Sequence, residues 1–288
     1  MDQIEYISPK DLEELFGAIK ETKGQAKFIA GCTNMIPKMR AGTISPELLI
    51  DLSGLQDLGH IREKNGAMSI GALTTISEVA GSEIIRNHSP ILSSAASSLG
   101  NPLTRNRATI GGNLADASPA ADMAPPLLAM EAAIHAERPK GKKRVIPIEQ
   151  FFLGPHKTIL EDDEIIIQIT FPKPRDSANG SYMKLGLRDS MAISVASVAV
   201  MLEMEGKLCQ KARVALGAVA PTPIRAYRVE KNLEGRELDQ AIIEECSAVV
   251  KEEISPIDDI RASAEYRRLV ISVLLKRGIN EALKGGDT

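Results

Sequence analysis

The amino-acid sequence predicts an α+β fold built from three successive units. The first, residues 1–55, mixes helical and strand periodicity, and its apolar run at 48–52 is typical of a buried parallel strand. The second, residues 56–175, opens with two strand-like segments around Asn65-Gly66, the dipeptide that most strongly indicates a β-hairpin. The third, residues 176–288, has three apolar strand segments and then two long stretches of helical periodicity.

In the first unit, Ser8-Pro9 predicts the start of a helix, because serine caps helices well and proline fits the first helical position. Apolar residues then recur on one face of that helix, at Leu12, Leu15, Phe16 and Ile19. A short strand at 27–30 and a short helix at 35–39 are expected before the parallel strand. The unit should therefore be a small α/β layer.

In the second unit, Thr75 and Glu78 form the pattern of a capping box, which predicts a helix running to about Arg86. Ser89-Pro90 starts a second helix that should end at Gly100. The three later strands of this unit are expected at 133–136, 143–146 and 164–171.

The turn-rich polar segment 172–180 is the best candidate for a boundary between domains, which gives domains of 1–175 and 176–288. Beyond it, strands are expected at 181–186, 193–203 and 211–219, and helices at 238–252 and 264–283. An antiparallel sheet covered by helices is the arrangement that this order favours.

Composition excludes several functions. The formal net charge of −3 gives no basic field that would attract nucleic acid, and no apolar run approaches the length of a membrane span. The three cysteines lie far apart, so this chain has no thiolate spacing for an iron–sulfur cluster or another metal. The first residues lack a secretory pattern, and we expect a cytoplasmic protein.

Two predicted loops are rich in glycine and small polar residues, which contribute little to the packing of a core. Glycine lets a bulky partner approach the main chain, and a turn of exposed N–H groups binds phosphate oxygens. Neither the G-x-G-x-x-G fingerprint nor a P-loop is present, so any nucleotide is held by another architecture. The first loop comprises Phe28, Ile29, Ala30, Gly31, Cys32, Thr33, Asn34 and Met35, and the second comprises Thr109, Ile110, Gly111, Gly112 and Asn113.

On these residues the sequence resembles the FAD-binding subunits of molybdenum hydroxylases, and it is most similar to the separate FAD subunit of the xanthine dehydrogenase type. Further blocks extend the resemblance over nearly the whole chain, at 105–122, 184–189 with 193–194, 217–225 and 262–267. The resemblance implies the same three-part α+β fold, with FAD bound between the first two parts. It also implies that the main-chain amides of 30–35 and 109–113 cradle the FAD pyrophosphate.

Three further residues match positions that contact the cofactor in this family. Asp122 would hydrogen-bond it, with an N-cap role as the alternative. Ile166 is equally consistent with an ordinary core position. Lys184 stands between two apolar residues and should need an anionic or polar partner, unless its strand turns that side to solvent. No residue of the chain is expected to act as a catalytic acid or base.

The resemblance implies a heterotrimer in which this subunit passes electrons to NAD. A small partner subunit would carry [2Fe-2S] clusters, and a large one would carry the molybdenum cofactor, where a purine is hydroxylated. FAD would be bound noncovalently. Alternatives are a FAD subunit of a carbon monoxide or N-heterocycle dehydrogenase, a free-standing FAD-dependent reductase or oxidase, and a scaffold whose glycine loops are only turns.

One position departs from the family pattern. Relatives commonly have a second glycine where Cys32 stands, but cysteine is small and the contacts needed there are main-chain ones, so we expect binding to survive. A helix N-terminus lowers thiol pKa values, which leaves a redox role for Cys32 as an alternative to a packed side chain. Valine at Gly111 or Gly112 is expected to block FAD binding with limited damage to the fold.

Overall fold

A computed structural model describes residues 4–21, 26–175 and 177–284 of the chain. The described residues form the expected α+β architecture, in which a small parallel sheet is followed by two larger antiparallel sheets. Helices lie between and outside these sheets. The predicted boundary segment 172–180 contains Asp176, which lies outside the described residues.

The first unit is the predicted small α/β layer. Its three strands run parallel in the order β1-β3-β2. Leu15 and Phe16 of the first helix pack with Leu48 and Ile50 of the sheet to form a local core. The elements are β1 (Glu5–Ile7), α1 (Leu12–Glu21), β2 (Ala26–Ile29), α2 (Met35–Arg40) and β3 (Leu48–Asp51).

The middle unit has a five-stranded antiparallel sheet in the order β4-β5-β10-β6-β7, and Asn65-Gly66 forms the hairpin between the first two of these strands. Six helices accompany it. The elements are β4 (Ile61–Lys64), β5 (Ala67–Gly71), α3 (Ile76–Gly81), α4 (Glu83–His88), α5 (Pro90–Ser98), α6 (Pro102–Arg105), α7 (Ile110–Ala115), α8 (Ala124–Ala129), β6 (Ala133–Arg138), β7 (Lys142–Pro147), β8 (Phe152–Gly154), β9 (Lys157–Thr158) and β10 (Ile165–Pro172).

Two details of the middle unit differ from the sequence prediction. The helix expected to reach Arg86 is divided at Ser82, because this residue is extended and its side chain accepts a hydrogen bond from the N–H of Ile85 to cap a new helix. The three short helices α6 to α8 were not predicted. Glycine and proline normally indicate turns, yet here they occupy first helical turns, where proline costs no hydrogen bond.

The third unit is an antiparallel sheet in the order β11-β12-β13-β14, with the long helix α11 packed across its first two strands. The opposite side of the sheet contacts α5 and α8, so the middle unit forms the other layer. No helix among the described residues is long and apolar enough to span a membrane. The elements are β11 (Ala178–Leu185), β12 (Ala196–Glu205), β13 (Leu208–Gly217), β14 (Ile224–Arg225), α9 (Tyr227–Leu233), α10 (Gln240–Val249) and α11 (Ala264–Lys284).

Candidate functional site

The first glycine loop leaves the carboxyl edge of the parallel sheet, directly after β2, and packs against the main chain that precedes α7. A Cβ atom built on Gly31 would lie only 1.7 Å from the carbonyl oxygen of Arg107. Any side chain at Gly31 would therefore push the loop away. Glycine is needed here for this close approach, and not for an unusual backbone angle, because Gly31 is not among the residues with positive φ.

Free main-chain donors are the main chemical property of this loop. Among the described residues, none accepts a hydrogen bond from the N–H groups of Gly31, Cys32, Thr33 or Asn34. The N–H of Ile36, in the first turn of α2, donates to the carbonyl oxygen of Cys32. Four consecutive unpaired amides ahead of a helix form the kind of concave surface that binds a phosphate group.

Cys32 supplies the left-handed residue of the loop, with φ of 60°. Its thiol donates to the carbonyl oxygen of Ala30 over 3.5 Å. Burial raises the pKa of the Cys32 thiol, and the carboxylate of Asp51 raises it further. The expectation that the helix start lowers this pKa is therefore wrong, since desolvation and a nearby negative charge both disfavour the thiolate.

We expect Cys32→Gly to change the free energy of unfolding by less than about 1 kcal/mol, because glycine takes the left-handed conformation without a Cβ penalty but gains entropy in the unfolded chain. Cys32→Val should cost about 2 kcal/mol, since a β-branched residue resists positive φ. Chemical denaturation of the apoprotein measures both changes. Thr33→Val is the matched control, at a neighbouring position without positive φ. Equal losses for the two valine variants would contradict the proposed strain.

The second glycine segment is not an open turn but the first turn of α7. Thr109 caps this helix, and its side-chain oxygen accepts a hydrogen bond of 3.1 Å from the N–H of Gly112. The N–H groups of Ile110 and Gly111 donate to carbonyl oxygens of the segment that follows β5. These amides therefore have partners within the chain, and the unpaired donors of the candidate site lie in the first loop.

The two adjacent glycines of α7 have different surroundings. A Cβ on Gly111 would lie 2.7 Å from both the Cβ and the carbonyl oxygen of Ala72, so this position is closed by the protein. An added Cβ at Gly112 would lie 2.8 Å from the side-chain oxygen of Thr109, and apart from its chain neighbours and its own helix no other described atom lies within 4 Å. Gly112 is exposed, so its main chain is accessible to a ligand.

Asp122 lies at the centre of a buried polar cluster that joins the middle and third units. Its Oδ2 accepts from Lys184 Nζ at 2.7 Å, and its Oδ1 accepts from the hydroxyls of Tyr182 at 3.1 Å and Ser194 at 2.6 Å. Burial and the Asp122 charge raise the pKa of Tyr182 well above its ordinary value, so its hydroxyl remains a donor. The alternative of an N-cap role for Asp122 is wrong, because Met123 occupies that position of α8.

Lys184 thus has an anionic partner in Asp122, and its Nζ also donates to the carbonyl oxygen of Ser98 at 3.3 Å. The cluster is continuous with α7, because the side chain of Asn113 accepts a hydrogen bond from the N–H of Met123. Ile166 lies in the core of the middle unit, on β10. Cofactor contacts of Asp122, Ile166 and Lys184 stay predictions.

Sequence reasoning missed several residues that shape this region. Arg107 contributes its carbonyl oxygen to the contact with Gly31, which depends on no side-chain chemistry. Asp116 binds Asn34 of the first loop and Lys38 of α2, and Ser194 and Tyr182 complete the cluster around Asp122. Arg107, Asp116 and Ser194 lie in blocks that resemble the family, but no local pattern singles them out, because each acts through partners distant in the chain.

Two family models match this chain, and together they cover almost all of it. Residues 2–174 match the model of the FAD binding domain in molybdopterin dehydrogenase. Residues 181–282 match the model of the CO dehydrogenase flavoprotein C-terminal domain. Both loops and Asp122 fall in the first match, whereas Lys184 and Ser194 fall in the second.

Individual relatives match along nearly the whole chain. The carbon monoxide dehydrogenase medium chain of Hydrogenophaga pseudoflava is 31% identical over 280 residues, 97% of each chain. A putative xanthine dehydrogenase FAD-binding subunit of Escherichia coli strain K12 is 33% identical over 261 residues, 90% of this chain and 89% of that one. A solved structure of the Hydrogenophaga pseudoflava carbon monoxide dehydrogenase superposes with a TM-score of 0.94 at 31% identity, covering 98% of both chains. This chain therefore belongs to the family of FAD-binding medium-chain subunits of molybdenum hydroxylases.

Proposed function

We propose that the chain binds FAD noncovalently, with the pyrophosphate held between the first loop and the open face of α7. The observation that carries this proposal is the row of four main-chain N–H groups from Gly31 to Asn34 without an acceptor among the described residues. Such donors suit phosphate oxygens and need no lysine. The bare main chain at Gly112 leaves room for the phosphate on the opposite side.

Other residues of the two loops would line the same cradle. The hydroxyls of Thr33 and Thr109 add hydrogen-bonding groups, and 28–35 would add main-chain contacts. The main chain of 109–113 would line the cradle without donating to the phosphate, because its amides from Ile110 to Asn113 have partners within the chain. Asp122, with Lys184, would orient the rest of the cofactor from the junction of the middle and third units. Ile166 would contribute an apolar contact from β10.

FAD, when bound, exchanges electrons singly or in pairs, which lets it connect one-electron carriers with a two-electron acceptor. The protein's part is to bind and position the cofactor. Within the Asp122 cluster, Tyr182, Ser194 and Lys184 each donate a hydrogen bond to the Asp122 carboxylate. No acid or base of the chain is needed for such a role.

We propose that the chain works in a heterotrimeric complex with a small iron–sulfur subunit and a large molybdenum-cofactor subunit, and that NAD is the terminal acceptor in the cytoplasm. The names of the relatives support the partners: they are medium chains or FAD-binding subunits of larger enzymes, one of them described as a Cu,Mo-CO dehydrogenase. NAD rests on the sequence resemblance alone, and the cytoplasm rests on the odd number and wide spacing of the cysteines, which fit a reducing compartment.

For the complex we propose purine hydroxylation, as in xanthine dehydrogenases, with carbon monoxide or an N-heterocycle as alternative substrates. Relatives of similar identity are named for carbon monoxide, xanthine and nicotine, so the FAD subunit itself does not select among them. A free-standing flavin reductase or oxidase is the alternative of a different class.

One purification tests this function. The native complex should yield this chain with two further subunits and reduce NAD with hypoxanthine or xanthine, while the isolated chain should only oxidise NADH with an artificial electron acceptor. Acid precipitation should release the FAD, and colour retained on the chain would indicate a covalent bond, for which Cys32 is the nearest thiol. Turnover of an organic substrate by the lone chain without NADH would instead favour the free-standing enzyme.

A further inference from the structure

A polar bridge centred on Asp116 connects the first loop with the carboxyl end of α7. The Oδ2 atom of Asp116 accepts a hydrogen bond of 2.6 Å from Asn34 Nδ2, and its Oδ1 atom pairs with Lys38 Nζ at 2.7 Å. The Asp116 side chain is only 15% exposed. Its partners lie 82 and 78 residues away in the sequence, so this contact joins separate parts of the fold.

The main chain at Asp116 is held from the other side as well. His156, in the turn between β8 and β9, places its Nδ1 atom 2.8 Å from the carbonyl oxygen of Asp116. The N–H of His156 donates to the carbonyl oxygen of Ala117 at 2.8 Å. Asp116 is therefore a fixed point, and the loop residues that bind it are fixed in turn.

Asn34 is used in an unusual way for its position. It precedes α2 as the N-cap residue, yet its side chain makes no capping hydrogen bond to that helix and reaches to Asp116 instead. The row of free amides from Gly31 to Asn34 thus lies between two attachment points. One is the close contact of Gly31 with Arg107, and the other is the bridge from Asn34 to Asp116.

Electrostatics argue that Asp116 does not bind the phosphate itself. A carboxylate beside an anion site repels the ligand unless its charge is compensated. Lys38 supplies that compensation, and Asn34 and Lys38 between them use both carboxylate oxygens. We therefore expect the Asp116 carboxylate to hold the first loop in place and not to contact the phosphate.

We propose that Asp116 is a positioning residue for the FAD site: it fixes the first loop against α7 and so preorganises the four amides that receive the pyrophosphate. This inference rests on the proposed function, because it assumes that these amides bind FAD. Preorganisation raises affinity by removing the entropic cost of ordering a loop when the ligand binds. The Asp116 bridge should then matter more for FAD affinity than for the stability of the apoprotein.

The test uses the full chain, freed of flavin and titrated with FAD, with thermal melting of each apoprotein. Asp116→Ala should weaken FAD binding by about tenfold, equal to 1.4 kcal/mol. Asp116→Asn, which keeps one acceptor oxygen, should recover part of the affinity. Glu244→Ala is the matched control, because Glu244 also accepts from a lysine and an amide side chain, but on the distant helix α10. Its apoprotein should melt like that of Asp116→Ala.

A double-variant cycle with Asn34→Ala separates positioning from a general loss of structure. If the bridge acts through Asn34, the double variant should bind FAD no more weakly than Asp116→Ala alone. Fully additive losses, or an Asp116→Ala affinity within twofold of wild type, would overturn the proposal. If Asp116→Ala binds FAD normally but Gly112→Val abolishes binding, the proposed FAD site is supported and only the role of Asp116 is wrong. If Gly112→Val also binds normally, the proposed site itself is wrong.

Discussion

Replacing Gly112 with valine is expected to weaken FAD binding at least 100-fold, about 2.7 kcal/mol, and to leave the fold largely intact. The valine side chain would occupy the exposed side of Gly112, where the proposed phosphate needs space. Its Cβ would lie 2.8 Å from the Thr109 side-chain oxygen that caps α7, so the expected loss of stability is that of a helix cap, about 1 kcal/mol. FAD titration and thermal melting of the apoprotein measure the two effects separately.

Two further valine variants give this experiment its controls. Gly111→Val should destabilise the chain itself, because the added atoms would collide with Ala72; this corrects the expectation that both glycines act alike. Gly17→Val, on α1, introduces the same side chain where no described atom lies within 4 Å of an added Cβ. It should leave FAD affinity unchanged. An affinity of Gly112→Val within threefold of wild type would show that α7 does not face the cofactor.

Replacing Arg267 with methionine is expected to cost 3–5 kcal/mol of unfolding free energy, roughly the loss seen when one partner of a buried ion pair is removed. Arg267 is 3% exposed and donates to the carbonyl oxygens of Val195 and Ala218, each at 2.7 Å. It also pairs with Asp259 at 2.8 Å. Methionine of similar length would leave two carbonyl groups and one carboxylate without this donor.

The loss of unfolding free energy in Arg267→Met should persist at neutral pH, where Asp259 is ionised. Burial alone would raise its pKa, but the N–H groups of Arg261 and Ala262 and the Arg267 guanidinium lower it to about 2. In the variant the N–H groups of Arg261 and Ala262 and the Arg261 guanidinium remain beside Asp259 and still favour the ionised carboxylate. Chemical denaturation measures the change, and Arg268→Met, an exposed neighbour on the same helix, should cost less than about 0.5 kcal/mol. Similar unfolding curves for the two variants would refute a structural role of Arg267.

Sequence patterns predicted the elements that depend on local chemistry. The capping box at Thr75, the hairpin at Asn65-Gly66 and the long C-terminal helix all follow from residues within a few positions of one another. The short helices α7 and α8 were missed because their glycines and prolines oppose helix formation locally. Tertiary contacts decide these cases: α7 is held by main-chain hydrogen bonds to the segment after β5.

The sequence predicted which loops form the candidate site, but it did not predict how their residues contact one another. Glycine and small polar residues marked both loops, yet the sequence could not tell that Gly31 packs on a carbonyl oxygen or that Gly111 and Gly112 face opposite surroundings. Asp116 lies within the 105–122 block, but the sequence did not indicate a role for it. The structure indicates one, because Asn34 and Lys38, at the start of α2, and His156, between β8 and β9, all bind Asp116.

The proposed cradle is formed by two units of the fold, which meet where Gly31 packs against Arg107. The first loop belongs to the unit with the parallel sheet, and α7 belongs to the middle unit. A ligand that bridges two such units adds its binding free energy to their association. By mass action, FAD at 100 times its dissociation constant would contribute about 2.7 kcal/mol to the folded state. FAD bound in the proposed cradle would then help to hold the N-terminal layer against the middle unit, and the apoprotein should lose this layer more readily than the holoprotein.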